Sequence, residues 1–188
     1  MSLTSKKPSQ SSSLTAEDWL QIAESELAKH GISAIKVEVL AKKLKVTKGS
    51  FYWHFSDRND LFRQLLTRWR ARSTSAIINR INSANLTPKG RLKELFLLPH
   101  RQTGRIDGAA LELAIRNWSQ NNSIVKKSLN DVDNYRLTFI AEIYEALEYD
   151  KPQAELMAAR FYYTILGMSM IETEQTDEHV ERIFETLL

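Results

Sequence analysis

Residues 36–61 read KVEVLAKKLKVTKGSFYWHFSDRNDL, and the fold is decided by this stretch. Val37, Leu40, Ala41 and Leu44 recur at the spacing that places them on one face of a short helix. Thr47 has the side chain of a helix N-cap and opens a still shorter helix that ends near Tyr52. Two short helices joined by a tight turn make the helix-turn-helix plan. The small Ala41 lets them cross closely, and Leu40, Leu44, Val46 and Phe51 fill the space between them. Phe51 and Phe55 are expected in the core, and core is also the safer reading of Trp53.

The rest of the second short helix faces outward. Lys48, Gly49 and Ser50 occupy its first turn, where a recognition helix meets base edges. Lysine donates to guanine O6 or N7, serine is a short donor and acceptor, and glycine lets the backbone come close. Tyr52 and His54 are placed to donate to phosphates, which fix register rather than specify sequence. Arg58 opens the next helix, whose free N–H groups and dipole also favour a phosphate.

Working outward, helical periodicity dominates and no alternating strand emerges. Upstream, Thr15 caps a helix with the stripe Ala16, Trp19, Leu20, Ala23 and Leu27, stopped at Gly31. Downstream, Ser56 or Asp57 caps a long helix with the stripe Phe62, Leu65, Leu66, Trp69, Ile77 and Ile81. Further helices begin at Thr87-Pro88, Ala109, Asn122, Pro152 and Asp177. The predicted fold class is all-α, with about nine helices. A three-helix helix-turn-helix domain over 14–60 precedes a helical bundle over 61–188. The Ser- and Lys-rich residues 1–13 read as a disordered tail.

Charge is distributed to match. Between Lys36 and Arg72 ten lysines and arginines face Glu38, Asp57 and Asp60, whereas from Ala141 onward acids prevail. A basic front suits a polyanion, although two ordinary solvated surfaces explain charge alone equally well. Lys42 and Lys43 read as a solvated face that adds general attraction to DNA. The chain has no cysteine, so a disulfide framework, a thiolate nucleophile and a cysteine-ligated zinc are excluded. No apolar run approaches the roughly 20 residues of a membrane span, and a soluble cytoplasmic protein is expected. The four histidines are scattered, with no HExxH, nucleophile elbow or phosphate-cradling loop, so no enzyme, metal site or cofactor is expected.

The segment resembles the DNA-binding domain of the TetR family of transcriptional regulators. The matching pattern is Leu40-Ala41, Leu44-Lys45-Val46, Thr47-x-Gly49-Ser50-Phe51-Tyr52, then His54-Phe55 and an acidic-basic pair leading to Leu61, strongest over residues 15–70. The resemblance implies base contacts at Lys48, Gly49 and Ser50. It implies phosphate contacts at Thr47, Tyr52, His54 and Arg58, with Lys36 and Val37 nearby; Trp53 itself reads as core, a minor phosphate contact or both. Two departures stand out. Lys45 occupies a turn position often held by glycine, which requires an unfavourable backbone conformation. The helix starting at Lys36-Val37 lacks a Thr or Ser cap.

The resemblance further implies a dimer that binds a palindromic operator, usually as a repressor, and a small-molecule effector inside the C-terminal bundle. Trp69, Phe96, His100, Trp118, Tyr135, Phe139 and Tyr144 could line an effector pocket, although each is also an ordinary core aromatic. Arg101 and Arg105 could suit an acidic ligand. The helix after Pro152 is apolar nearly all round, which predicts burial on two sides. Phe161, Tyr162, Ile165 and Ser169, with Val180, Ile183, Phe184 and Leu187 of the last helix, are the predicted dimer interface. Two readings compete: a sequence-independent architectural DNA binder, marked by salt-labile affinity, and a helical protein-interaction module.

Overall fold

A computed structural model describes residues 14–100, 108–171 and 176–188, with no side-chain description at His100. The described residues form nine α-helices, with 3-10 and π segments between them. The first is α1, Ala16–His30. Its start is fixed by a capping box: the Thr15 hydroxyl accepts from the Asp18 amide, and the Asp18 carboxylate accepts from the Thr15 amide at 2.8 Å. Its end is fixed by Gly31, whose φ of 74° is open to glycine at little cost. Helix α2, Val37–Leu44, comes after a short 3-10 turn at Ile32–Ala34.

The predicted long helix is interrupted. It consists of α3, Arg58–Arg70, a π segment at Ala71–Ser75 and α4, Ala76–Ser83. A π turn adds a residue to the helical repeat and so rotates the helix beyond it. The expected stripe ending Ile77, Ile81 therefore becomes Ile78 and Ile81 in the core, with Ile77 only half-buried. Helices α5 (Pro88–Leu97), α6 (Gly108–Ser119), α7 (Ser123–Glu145), α8 (Lys151–Met170) and α9 (Asp177–Glu185) complete the chain. Thr87, Asn122, Asp150 and Thr176 cap α5, α7, α8 and α9 with their side chains.

Two hydrophobic cores result. In the first, Trp19, Leu27, Leu40, Phe51, Phe55, Leu61, Leu65 and Trp69 pack with Leu111, Ile115 and Trp118 of α6 and with Val125, Leu129 and Val132 of α7. Helix α1 lies along α6, so the helix-turn-helix rests directly on the bundle. The second core joins Ile78, Ile81, Leu92, Phe96, Phe139, Ile140 and Tyr144 to Phe161, Val180 and Phe184.

This division corrects two sequence expectations. The aromatic residues expected around one effector are divided, among the described residues, between the two cores. Trp69 and Trp118 belong to the first core, Phe96, Phe139 and Tyr144 to the second, and Tyr135 is exposed. The His100 side chain, Arg101 and Arg105 lie outside the described residues. Of the predicted dimer residues, Phe161, Tyr162, Val180, Phe184 and Leu187 are buried within the chain and offer nothing to a second copy. Ile165, Ser169 and Ile183 are half-buried, while Leu156, Tyr163 and Ile171 carry the exposed apolar surface of α8 and its end. Periodicity showed that two faces of α8 were apolar, but it could not say which face the chain itself would cover.

Candidate nucleic-acid interface

The turn between α2 and the recognition segment begins at Lys45, with φ 58° and ψ 39°, the left-handed conformation expected there. Its amide donates to Lys42 O and that of Val46 to Ala41 O, so the strained residue closes the end of α2. Residues Lys48–Trp53 then form a 3-10 helix rather than an α-helix. Thr47 is its N-cap by position, but its hydroxyl makes no capping bond, and its carbonyl accepts from the Ser50 amide at 3.1 Å. The expected side-chain cap is thereby corrected, leaving the exposed Thr47 hydroxyl available to a ligand.

Only Phe51 and Phe55 of this segment enter the core, stacked at 5.1 Å with Trp19 edge-on to Phe51. Thr47, Lys48, Gly49, Tyr52 and Trp53 are exposed, and Ser50 and His54 half-buried. Trp53 is 88% exposed, which overturns its reading as core. Burial of an indole normally contributes a few kcal/mol, so a tryptophan left in water is a better marker of a contact surface than of folding. The fold does not require glycine at position 49. A Cβ there would meet only Thr47 Oγ1 at 3.7 Å, an ordinary contact, so the open space lies on the outside.

Charge on this face is less free than its sequence suggests. Lys48 Nζ donates to Glu38 Oε1 of α2, and both side chains are exposed. That hydrogen bond holds the Glu38 carboxyl below its usual range and raises the Lys48 ammonium. Lys43 binds Glu26 at 2.6 Å, and Arg68 and Arg72 bind the buried Glu24 at 2.9 and 3.3 Å. Lys43 is thus no plain solvated lysine. Helix α1 supplies the acids that neutralise part of the basic front. Lys36, Lys42 and Lys45 remain exposed and without an acidic partner among the described residues.

Two further expectations change. Val37 is buried in the first core, so only its backbone at the uncapped start of α2 can face a partner. Arg58 is turned toward the protein: Nε donates to Ile35 O at 2.8 Å, and its guanidinium lies 4.8 Å from the Phe62 ring. The start of α3 is already filled, since Asp57 accepts from the Asp60 amide at 2.7 Å and Asp60 from the Ser56 amide at 3.1 Å. Arg58 therefore fastens α3 to the segment ahead of α2 and aligns the recognition turn. Nothing in residue order signals this role, because carbonyl acceptors carry no residue signature.

The profile of bacterial regulatory proteins of the tetR family matches residues 20–65, which hold most of α1, all of α2, the turn after it and the start of α3. Over this segment the chain is similar to the TetR family. The HTH-type transcriptional regulator AcrR of Shigella flexneri is 33% identical over 60 residues, which are 32% of this chain and 28% of that protein. The match thus spans little more than a quarter of the curated relative. Over the whole chain the likeness is one of fold. A TetR transcriptional regulator from Legionella pneumophila superposes with a TM-score of 0.76 at 17% identity, covering 93% of this chain and 97% of that one. A protein from Saccharomonospora viridis in complex with choline gives 0.74 at 18% identity, covering 92% of each chain. In this chain, as in those structures, the helix-turn-helix is carried on a helical bundle. No described helix is long and apolar enough to cross a membrane.

Proposed function

We propose that this chain is a cytoplasmic, dimeric transcriptional regulator, acting as a repressor, whose residues 14–60 read a palindromic DNA operator while residues 61–188 dimerise and respond to a small molecule. The observation that carries the reading is the recognition turn itself. It places Thr47, Lys48, Gly49, Tyr52 and Trp53 in solvent while Phe51 and Phe55 alone anchor it. Lys48 with Ser50 and the open backbone at Gly49 would meet base edges. Thr47, Tyr52, Trp53, His54 and the Lys36 end of α2 would flank the phosphates. Arg58 would position these groups, reaching a phosphate only by leaving the Ile35 carbonyl.

A dimer fits the outer face of α8, where Leu156, Tyr163 and Ile171 stand exposed beside half-buried Ile165 and Met168. Two copies would set recognition turns about 34–36 Å apart, one turn of DNA. The internal pairing of Lys43, Arg68 and Arg72 disfavours a sequence-independent architectural binder, which depends on unpaired positive charge.

The test is selection of the purified protein against random duplex DNA at near-physiological salt, followed by sequencing. An enriched inverted repeat is expected. Binding that is salt-labile and indifferent to sequence would put the architectural reading first.

A further inference from the structure

A cleft of about 370 Å³ lies between the end of α1 with the 3-10 turn after it and the outer face of α6. Its apolar side is made by Leu27, Ala28, Ile32, Leu113, Ala114 and Trp118. Leu113 is 41% exposed and forms part of this wall, so apolar surface here is left in water. Ser33, Asn117 and Asn121 stand on the rim, and none of their side chains has a hydrogen-bond partner among the described residues. No charged side chain among the described residues lines the cleft.

From this geometry we infer that the α1–α6 cleft is a binding site for a small, neutral, amphipathic molecule, with a ring or short chain against Leu113 and Trp118 and an amide or hydroxyl at Asn117 and Asn121. Three observations converge. The volume falls at the lower end of small-molecule sites. An apolar floor with a few free polar groups is the usual composition of such a site. The uncharged lining offers no ion pair by which a carboxylate or ammonium ligand could offset its desolvation. Of the described residues expected around an effector, Trp118 alone lines the cleft.

The two walls belong to different units. One is part of the helix-turn-helix and the other part of the bundle, so a ligand that fits one spacing of α1 and α6 better than another biases the placement of the recognition turn. This consequence rests on the DNA-binding reading; the site itself does not.

The experiment is a titration of the full chain, labelled at alanine, leucine and isoleucine methyls, with benzamide and benzyl alcohol, using benzoate and benzylamine as charged counterparts. Saturable shifts are expected at Leu27, Ala28, Ile32, Leu113 and Ala114 with the neutral pair, at least roughly tenfold weaker with the charged pair. Ala110→Phe, which plugs the cleft, should abolish them. Asn117→Ala, at an exposed position that folding does not use, should weaken benzamide binding with the fold intact. Absence of saturable shifts at these methyls, equal binding of benzoate or benzylamine, or persistence in both variants would overturn the site. Sequence-selective DNA binding is measured separately, so failure of the operator reading and failure of the cleft give different results.

Discussion

Two clusters of paired opposite charges behave differently because of where they sit. At the recognition face, Lys48 and Glu38 pair in full solvent. In the bundle, Arg116 binds Asp133 at 2.7 Å and Glu112 at 2.8 Å, and Arg136 binds Glu112 at 3.2 Å. Tyr162 donates to Asp133 at 2.7 Å and accepts from Arg136 at 2.9 Å, with its own hydroxyl titration raised by burial. Arg136 also reaches the π segment, donating to Thr74 Oγ1 at 3.0 Å and to Ser73 O at 3.2 Å. The irregular turn leaves the Ser73 carbonyl to accept from outside the helix, and this guanidinium satisfies it. An exposed pair can open at little cost when DNA offers better partners. A buried network cannot lose one member without stranding the others. The first arrangement suits recognition, the second fixes how the long helix meets α6, α7 and α8.

The largest effect should come from breaking the buried set. Arg136→Met leaves Glu112 with Arg116 as its one remaining cation and strands Ser73 O and Thr74 Oγ1, and urea unfolding should show a loss of about 3–5 kcal/mol. Adding Glu112→Leu should restore part of it, because removing both charges is less harmful than removing one. If Arg136→Met costs no more than a surface change, the contrast between the clusters fails.

On the exposed face, stability should hold while DNA binding changes. Lys48→Ala should reduce preference for the selected operator by roughly ten- to a hundredfold, read by competition against scrambled duplex. Its unfolding midpoint should remain that of the parent. Gly49→Ala should leave folding unchanged or raise it by about 0.5 kcal/mol, since its Cβ meets no crowding inside the chain. Operator affinity should nevertheless fall, because the added methyl occupies the side left open. Unaltered affinity would show that no close approach occurs there. Glu38→Gln should have a smaller effect still: affinity for all duplexes rises modestly as a carboxylate leaves the DNA-facing surface, and sequence preference relaxes as Lys48 loses its tether.

The smallest effect concerns acid. Asp18 is held below its ordinary value of 3.8 by its hydrogen bonds with Thr15, and Asp60 by the Ser56 amide and Gln64. A carboxyl with a lowered folded-state pKa stabilises the fold above its unfolded pKa and ceases to do so as pH falls through the folded value. The helix-turn-helix caps should therefore weaken below about pH 4, within the ordinary carboxylate range. Asp18→Asn should flatten the acid limb of the stability profile, whereas an unchanged limb would show that the cap carries no linkage.

Much of the fold was legible in residue order. Thr15, Thr87, Asn122 and Asp177 marked helix starts, Gly31 and Lys45 marked turns, and Phe51 and Phe55 were placed in the core by their four-residue spacing. The inward side of residues 47–55 was legible for the same reason: Phe51 and Phe55 lie one helical turn apart, so local periodicity places both in the core. The features that stayed hidden depend on distant partners. Trp53 is as apolar as any core residue, and only the packing of Phe51 against Trp19 shows that it is turned away. The Arg136 network joins residues 24 to 63 positions apart, so no window of sequence contains it. Arg58 was read as a phosphate ligand because its acceptors are backbone carbonyls of residues 23 and 26 positions earlier.

Residue order alone dictates that this chain is all-helical, where most helices begin and end, and that residues 47–54 form a short segment with Phe51 turned inward. Those properties arise from capping, backbone preference and a repeat of 3.6 residues, all short-range. Packing settled which of two apolar faces on α8 the chain keeps, which lysines and arginines are already paired, and that a cleft stands open between α1 and α6. Each is a competition between surfaces far apart in sequence, and it is resolved only when the helices pack and determine which groups leave water.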